Sequence, residues 1–472
     1  MSRFVARTRE LALLHGARER VQKTIGTPQP GACLFVRGRR RVGKSRLIEV
    51  FLEQSQSRSL YFTASQQGER ELGLFLAELA DSSLATASGI EHVAASRWDG
   101  ALTLLASSLP SNDVSVVIID EFPYLVAGDA SIEGTFQKHW DRYLSHKPVL
   151  LILVGSDVAA MEALNTPGRP LFQRGQELVV SPLSPREVAD IIQPATPADA
   201  FDAYLLTGGM PMICDEWPTG DSATSYLEKI VSEPSSMFVN GALRSLNAEF
   251  PSDALARDVL THIGSGEMTF STIARASGGL QATSLARALN VLIPRKIVTK
   301  VTPLSTRPSR EARYAITDTY LQFWLRFIGP HLAEIDRGRG DRTFNRLKDQ
   351  WSSWRGRAIE PIVRESLLRL LPHRGIDASE VGGYWTRTNS LEVDLIGADR
   401  GPVARSIGFA GSIKWREIAL FEQSDFLQLA ADAMLVPGVN AATPLLVVSR
   451  TGVRARGHAL ALGPADLLNA WN

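Results

Sequence analysis

The feature that most constrains this chain is the octapeptide Gly38-Arg39-Arg40-Arg41-Val42-Gly43-Lys44-Ser45, set between the apolar run Ala32 to Val36 and a helical pattern from Arg46 to Gln54. A strand, a glycine-bounded loop and a helix in that order make a phosphate cradle. The glycines let the backbone curl so that successive N–H groups face phosphate oxygens, and the helix N-terminus adds its positive end. Lys44 is placed to reach the terminal phosphates, and the Ser45 hydroxyl is placed to ligate Mg²⁺. Arg39, Arg40, Arg41, Val42 and Arg46 complete the stretch that would surround the nucleotide. The chain is therefore expected to bind ATP or ADP with Mg²⁺ and to carry an α/β core with a parallel sheet.

A second strand signal, Val114-Ser115-Val116-Val117-Ile118-Ile119, is almost unbroken in apolar residues and ends on Asp120-Glu121. Such a strand is buried on both faces and delivers its acids to the carboxyl edge of the sheet, where open α/β folds bind ligands. Asp120 is expected to hold the magnesium and Glu121 to orient and polarise the attacking water. A third strand, Val149 to Val154, ends in Gly155-Ser156-Asp157. Ser156 is preferred as the residue that senses the terminal phosphate, because a second carboxylate beside phosphate would be repelled. Arg169 and Arg174, ahead of a strand at Glu177 to Val180, are candidates for an arginine finger offered to a neighbouring subunit, with Arg174 preferred.

Beyond these motifs, Phe4-Val5-Ala6-Arg7-Thr8-Arg9-Glu10-Leu11 resembles the N-terminal motif of the STAND branch of AAA+-like ATPases, with Ala6 where that family prefers glycine. Gly208-Gly209-Met210-Pro211 is similar to the Gly-x-Pro element that those proteins carry on the lid. The resemblance implies nucleotide contacts from Arg7 and, from the lid, Gly209 and Pro211. It extends to an archaeal and bacterial ATPase family whose members carry a C-terminal domain of unknown function.

Length and composition set further bounds. At 472 residues, about three or four domains are expected. The 51 basic and 50 acidic residues leave a net charge of +1, so any nucleic-acid surface must be a local patch. Cys33 and Cys214 give neither a disulfide framework nor zinc-ligand spacing, which points to a reducing cytoplasm. The eight histidines have no ligand or triad spacing, and no apolar run approaches the ~20 residues of a membrane span. The expected division is an ATPase core over 1–185, a helical lid over 186–245, a winged helix over 246–320 and a tail domain over 321–472.

In the third segment, helical patterns at Leu255 to Ile263, Thr269 to Ala276 and Thr283 to Ile293 precede β-like stretches at Ile297 to Val301 and Arg313 to Ile316. A basic loop with Arg307 and Arg310 joins the two stretches. Were this a reader of duplex DNA, the third helix would enter the major groove and the loop would touch the backbone, giving roles to Gln281, Ser284, Arg287, Arg295, Lys296 and Lys300. The competing reading is a spacer that only packs against protein.

The aromatic run Tyr320 to Phe327 resembles the family's junction into its tail, and the tail resembles a PD-(D/E)xK nuclease-type α/β fold, similar to restriction endonucleases. That likeness implies a site of Glu360 on a helix from Gly356 to Leu370, Asp394 on the strand Glu392 to Ile396, and Lys414 on the strand Ile407 to Trp415. Ser412 stands where the pattern has glutamate, which removes one charged metal ligand and implies a degraded site. Glu392, on the same strand face as Asp394, or Glu422 would be the substitutes. The expected function is an ATP-hydrolysing switch that positions the later modules and forms a nucleotide-dependent homo-oligomer. A DNA-binding regulator with ATP-set occupancy and an ATP-controlled Mg²⁺ nuclease are the alternatives.

Overall fold

The structure is a computed structural model that describes residues 7–65, 68, 70–84, 96–250, 254–266 and 269–472. Phe4, Val5 and Ala6 of the N-terminal motif lie outside the described residues. The chain packs into two compact units, Met1–Pro182 and Leu183–Asn472.

The first unit is built on five strands, β1 (Ala32–Arg37), β2 (Arg58–Thr63), β3 (Ser115–Asp120), β4 (Val149–Gly155) and β5 (Gln176–Val179). All neighbouring pairs are parallel, in the order β2-β3-β4-β1-β5. Every residue of β3 and β4 is buried, as strands rich in Val, Ile and Leu must be when helices pack on a parallel sheet. Phe35, Val117, Ile119, Leu151 and Leu153 share one core with Phe75, Leu102, Leu105 and Phe136 from the helices Arg70–Asp81, Trp98–Ser108 and Ile132–Arg142. The strand order has one consequence for function. Because β4 lies between β1 and β3, the loop after β1, the acids after β3 and Gly155-Ser156 after β4 all leave from adjacent carboxyl ends.

The second unit opens with helices Pro185–Ile192, Pro197–Thr207, Pro211–Asp215, Ala223–Ile230 and Met237–Glu249. The first begins in a capping box between Ser184 and Glu187, which satisfies two otherwise orphaned N–H groups. Gly208 and Gly209 both take positive φ, and a Cβ on Gly209 would stand 2.2 Å from the Leu183 carbonyl oxygen, so the turn requires glycine for packing alone. Helices Ala254–Ser265, Phe270–Ala276 and Ala282–Leu292 follow, then the antiparallel pair β6 (Val298–Val301) and β7 (Arg313–Ile316), to which Thr269 adds a bridge at Arg313.

The loop between β6 and β7 is not uniformly exposed. Its first half is buried, with Leu304 at 4% and Ser305 at 1% exposure. Leu304 N–H donates to Gly383 O and Thr306 N–H to Pro437 O, so these residues are tied to the C-terminal sheet. Arg307 and Arg310 remain exposed beyond that anchor.

That C-terminal sheet contains β8 (Glu380–Trp385), β9 (Glu392–Ala398), β10 (Ile407–Lys414), β11 (Leu445–Ser449) and β12 (Leu460–Leu462), in the order β12-β11-β10-β9-β8. Pairing is antiparallel from β8 to β10 and parallel from β10 to β12. Ile396, Ala410 and Val447 pack on Phe426 and Leu429 of the helix Gln423–Ala433. Leu395, Phe409, Ile413, Leu446 and Val448 pack on Val363 and Leu367 and, in the same cluster, on Ala200, Phe201 and Leu205. The helix Pro197–Thr207, read from sequence as part of a separate lid, thus helps fill the core of the tail. The Phe201 ring meets the Trp415 ring edge-on at 5.7 Å. Beside it, Arg355 donates to Asp202 at 2.9 Å and to Glu417, and Arg450 donates to Asp202 at 3.1 Å.

One expected helix is broken. Instead of running from Gly356 to Leu370, the chain forms Gly340–Ala358 and then Glu360–Leu370. Pro361 explains the break, since it lacks the N–H that would continue the hydrogen-bond ladder and is tolerated only in the first turn of a helix.

Candidate functional site

The loop after β1 closes on its own lysine. Gly38 sits where a Cβ would stand 2.2 Å from Val180 O, Arg41 and Gly43 have φ of 68° and 90°, and Gly43 turns the chain into the helix Lys44–Ser55. Only a residue without Cβ fits the first position, and the second glycine is in the left-handed region it favours. Lys44 Nζ donates to Gly38 O at 2.8 Å and Arg39 O at 3.1 Å. Burial lowers the lysine pKa, the carboxylates of Glu121 and Asp120 oppose that shift, and Arg40 adds to it. Arg7 is buried against the same loop, donating to Val42 O at 2.7 Å and pairing with Glu10 at 3.1 Å. Arg40 donates to the Tyr124 hydroxyl. Arg46, in contrast, turns its side chain to solvent, where it pairs with Glu49 and Glu53.

The adjacent strands bring the acids to this loop. Ser45 Oγ donates to Asp120 Oδ2 at 3.1 Å, while the Glu121 N–H bonds Asp120 Oδ1 at 2.9 Å. Tyr61 on β2 donates its hydroxyl to Asp120 Oδ2 at 2.9 Å. Burial first, then the nearby Asp120 carboxylate, push the Tyr61 phenol well above its ordinary pKa, so it remains a donor. Glu121 takes the left-handed conformation at φ 52°. Its two carboxylate oxygens accept from Ser156 Oγ at 2.7 and 2.9 Å, with Ser156 N–H adding 3.3 Å. Lys44, Ser45, Asp120, Glu121 and Ser156 are therefore brought together at one sheet edge.

The two candidate finger arginines are committed elsewhere in their own unit. Arg174 grips Asp141 through Nε and Nη2, both at 2.9 Å, and its Nη1 donates to Pro170 O and Phe172 O. Arg169 pairs with buried Glu133 at 2.5 Å. The structure does not hold either out as an unengaged guanidinium. Gly209 is explained by its packing on Leu183, and Pro211 opens the short helix Pro211–Asp215.

On the helix Ala282–Leu292, Gln281 and Arg287 are exposed and Ser284 half-buried along one side. Lys296 and Lys300 are also exposed, whereas Arg295 lies over the Phe250 ring at 5.0 Å. In the tail, Asp394 Oδ2 accepts from Ser412 Oγ at 2.9 Å and from Ile413 N–H at 2.8 Å. Arg364 bonds Glu360 at 2.8 Å and Asp394 O at 2.9 Å, placing a guanidinium among these groups. Burial raises the Glu360 pKa to about 7, with Arg364 opposing and Asp394 and Glu392 reinforcing the shift.

The two suggested substitutes for the missing ligand have arginine partners of their own. Glu392 is drawn to Arg313 at 2.6 Å, whose guanidinium lies 4.3 Å over the Trp385 ring. Glu422 caps its own helix and pairs with Arg454. Among the described residues, no group of three or more His, Cys, Asp or Glu is arranged to hold a metal ion. Lys414 is half-buried at the end of β10.

Two contacts at this sheet edge could not be read from sequence. Tyr61 and Tyr124 lie in ordinary strand and helix patterns, and only strand order and loop path place their hydroxyls beside Asp120 and Arg40.

The parallel sheet, its strand order and the glycine loop after β1 define a P-loop α/β fold. Residues 324–425 match the model of a family described as archaeal and bacterial proteins of unknown function. An uncharacterized protein of Methanocaldococcus jannaschii is 24% identical over 396 residues, covering 82% of this chain and 83% of the relative. Among solved structures, the Walker-type ATPase PABY2304 of Pyrococcus abyssi is 18% identical, with a TM-score of 0.48, over 68% of this chain and 96% of that one. The Aeropyrum pernix ORC2 protein in its ADPNP–ADP complexes is 12% identical, with a TM-score of 0.46, over 71% of this chain and 96% of that one.

Proposed function

We propose that this chain is an ATP-binding and ATP-hydrolysing switch whose nucleotide state repositions a DNA- or protein-binding C-terminal assembly. The observation that carries this reading is the convergence of Lys44, Ser45, Asp120, Glu121 and Ser156 from β1, β3 and β4 on one edge. The residues fit the nucleotide and its metal: Gly38 keeps the loop clear of Cβ bulk, Lys44 lies in the loop mouth, and Ser45 is already coupled to Asp120. Lys44 would hold the terminal phosphates, while Ser45 and Asp120 would hold Mg²⁺. The ion supplies neutralisation of phosphate charge when bound. Glu121 orients and polarises the attacking water, and Ser156 senses the terminal phosphate.

The test is a pair of substitutions. Lys44→Ala loses nucleotide binding, whereas Glu121→Gln keeps binding but lowers turnover by about 100-fold. Wild-type turnover in Glu121→Gln would overturn its role.

A DNA-binding regulator is the second reading, supported by the helix–helix–helix–ribbon order of residues 254–316, which suits a winged helix, and by exposed Gln281, Arg287, Lys296 and Lys300. A cytoplasmic setting is in keeping with the two free, buried cysteines. No helix among the described residues is long and apolar enough to cross a membrane. Comparing the solution mass with ADP and with a non-hydrolysable ATP analogue, with and without duplex DNA, tests both homo-oligomer formation and DNA binding.

A further inference from the structure

Asp120 is served by more donors than the P-loop itself provides. Its Oδ1 accepts the Glu121 N–H, and its Oδ2 accepts both Ser45 Oγ at 3.1 Å and Tyr61 Oη at 2.9 Å. A carboxylate offers about four lone-pair sites. Three are taken here, and both on Oδ2 are spent. Ser45 can turn a lone pair to a cation while its proton stays on Asp120, because a hydroxyl has one proton and two acceptor pairs. Tyr61 comes from outside the loop. It stands on β2, the strand hydrogen-bonded to β3, and its backbone is in register with Ile118, two residues before Asp120. The phenol therefore reaches along the sheet to the strand end from a rigid platform, while Asp120 is only 6% exposed.

We infer that Tyr61 is a positioning residue of the magnesium site, fixing the orientation of the Asp120 carboxylate through its hydrogen bond to Oδ2. This inference rests on the nucleotide reading above. The role goes through Asp120 and requires no contact between Tyr61 and the nucleotide. Groups that orient metal-binding carboxylates typically change metal affinity or activity by about 10–100-fold when removed.

The experiment measures binding of a fluorescent ADP analogue to the full chain, first in EDTA and then across a Mg²⁺ titration. Tyr61→Phe keeps the ring and loses only the hydroxyl. Affinity in EDTA should match wild type, showing an intact cradle, while the Mg²⁺ concentration for half-maximal enhancement rises about tenfold. Ser83→Ala, which alters a hydroxyl bonded to the backbone of Ser59 on the same strand, should leave that concentration unchanged and controls for disturbance of β2. An unshifted Mg²⁺ dependence in Tyr61→Phe, with EDTA affinity intact, overturns the positioning role. Failure of the wild type to bind the analogue under either condition overturns the nucleotide reading and the Tyr61 role with it.

Discussion

Ser156 Oγ bonds both carboxylate oxygens of Glu121, at 2.7 and 2.9 Å, so the residue proposed to act on water is turned toward the end of β4. The backbone of Glu121 reinforces this aim, because its φ of 52° swings the side chain away from the direction an ordinary strand residue would take. The residues proposed to sense phosphate and to act on water are thus joined in one hydrogen-bonded pair.

The pair makes a prediction for Ser156. Ser156→Ala should leave nucleotide affinity within about threefold but lower turnover at least about tenfold, since Glu121 loses the group that holds it. Ser156→Thr, which keeps the hydroxyl, should retain most activity. Steady-state hydrolysis by the three proteins decides this, and equal turnover in Ser156→Ala would detach the serine from the chemistry.

For Arg174, the bonds to Asp141 and to two carbonyls predict a structural role. Arg174→Ala should lower stability by about 1 kcal/mol while turnover per folded molecule changes less than about twofold. Mixing with a Lys44→Ala subunit should give no gain. Thermal melts with active-site titration test the first part, and recovery of activity on mixing would instead establish a finger acting between subunits.

Glu360 gives a pH signature. Its folded pKa of about 7 exceeds the ordinary 4.5, so the folded state binds more protons and stability falls as pH rises from about 4.5 through 7. With the side chain partly exposed, the cost at pH 8 is about 1–2 kcal/mol. In Glu360→Gln the loss of stability between pH 5 and pH 8 should be smaller by that amount. Denaturant titrations at the two pH values measure the difference, and identical slopes for the two proteins would refute it.

The tail makes a fourth prediction. With Asp394 bonded to Ser412 and Ile413, and Arg364 held on Glu360, wild-type protein should cut duplex DNA at no more than background with Mg²⁺. Ser412→Glu alone should not restore cutting, because Arg364 still occupies Glu360. Metal-dependent cleavage by wild type that disappears in Asp394→Ala and Lys414→Ala would promote the nuclease alternative.

The convergence of residues at the candidate edge was largely legible because its signals are local. Glycine spacing, an unbroken apolar run and terminal acids each fix a short stretch of backbone, and parallel strands align their carboxyl ends. What sequence could not show depends on partners distant along the chain. Tyr61 reads as one more aromatic strand residue until β2 is paired with β3. Glu392 shares strand alternation with Asp394, but Arg313, 79 residues earlier, decides where it goes. The broken helix at Ile359 was readable from Pro361, yet the nuclease-type resemblance implied a single helix from Gly356 to Leu370. Likewise, a proline- and glycine-punctuated helical segment looks self-contained, although Phe201 and Leu205 are buried among residues contributed by the tail.

That shared burial determines how the molecule can be dissected. Ending the chain near residue 320, between the regions assigned from sequence as winged helix and tail, would strip Trp415 from Phe201 and both arginines from Asp202. A buried aromatic would be left facing water, and a carboxylate only 4% exposed would lose its counter-charges. A fragment that keeps the ATPase core and the helices 185–249 but omits the C-terminal sheet should therefore be insoluble or loosely folded, so shortened proteins would misreport the properties of the intact chain.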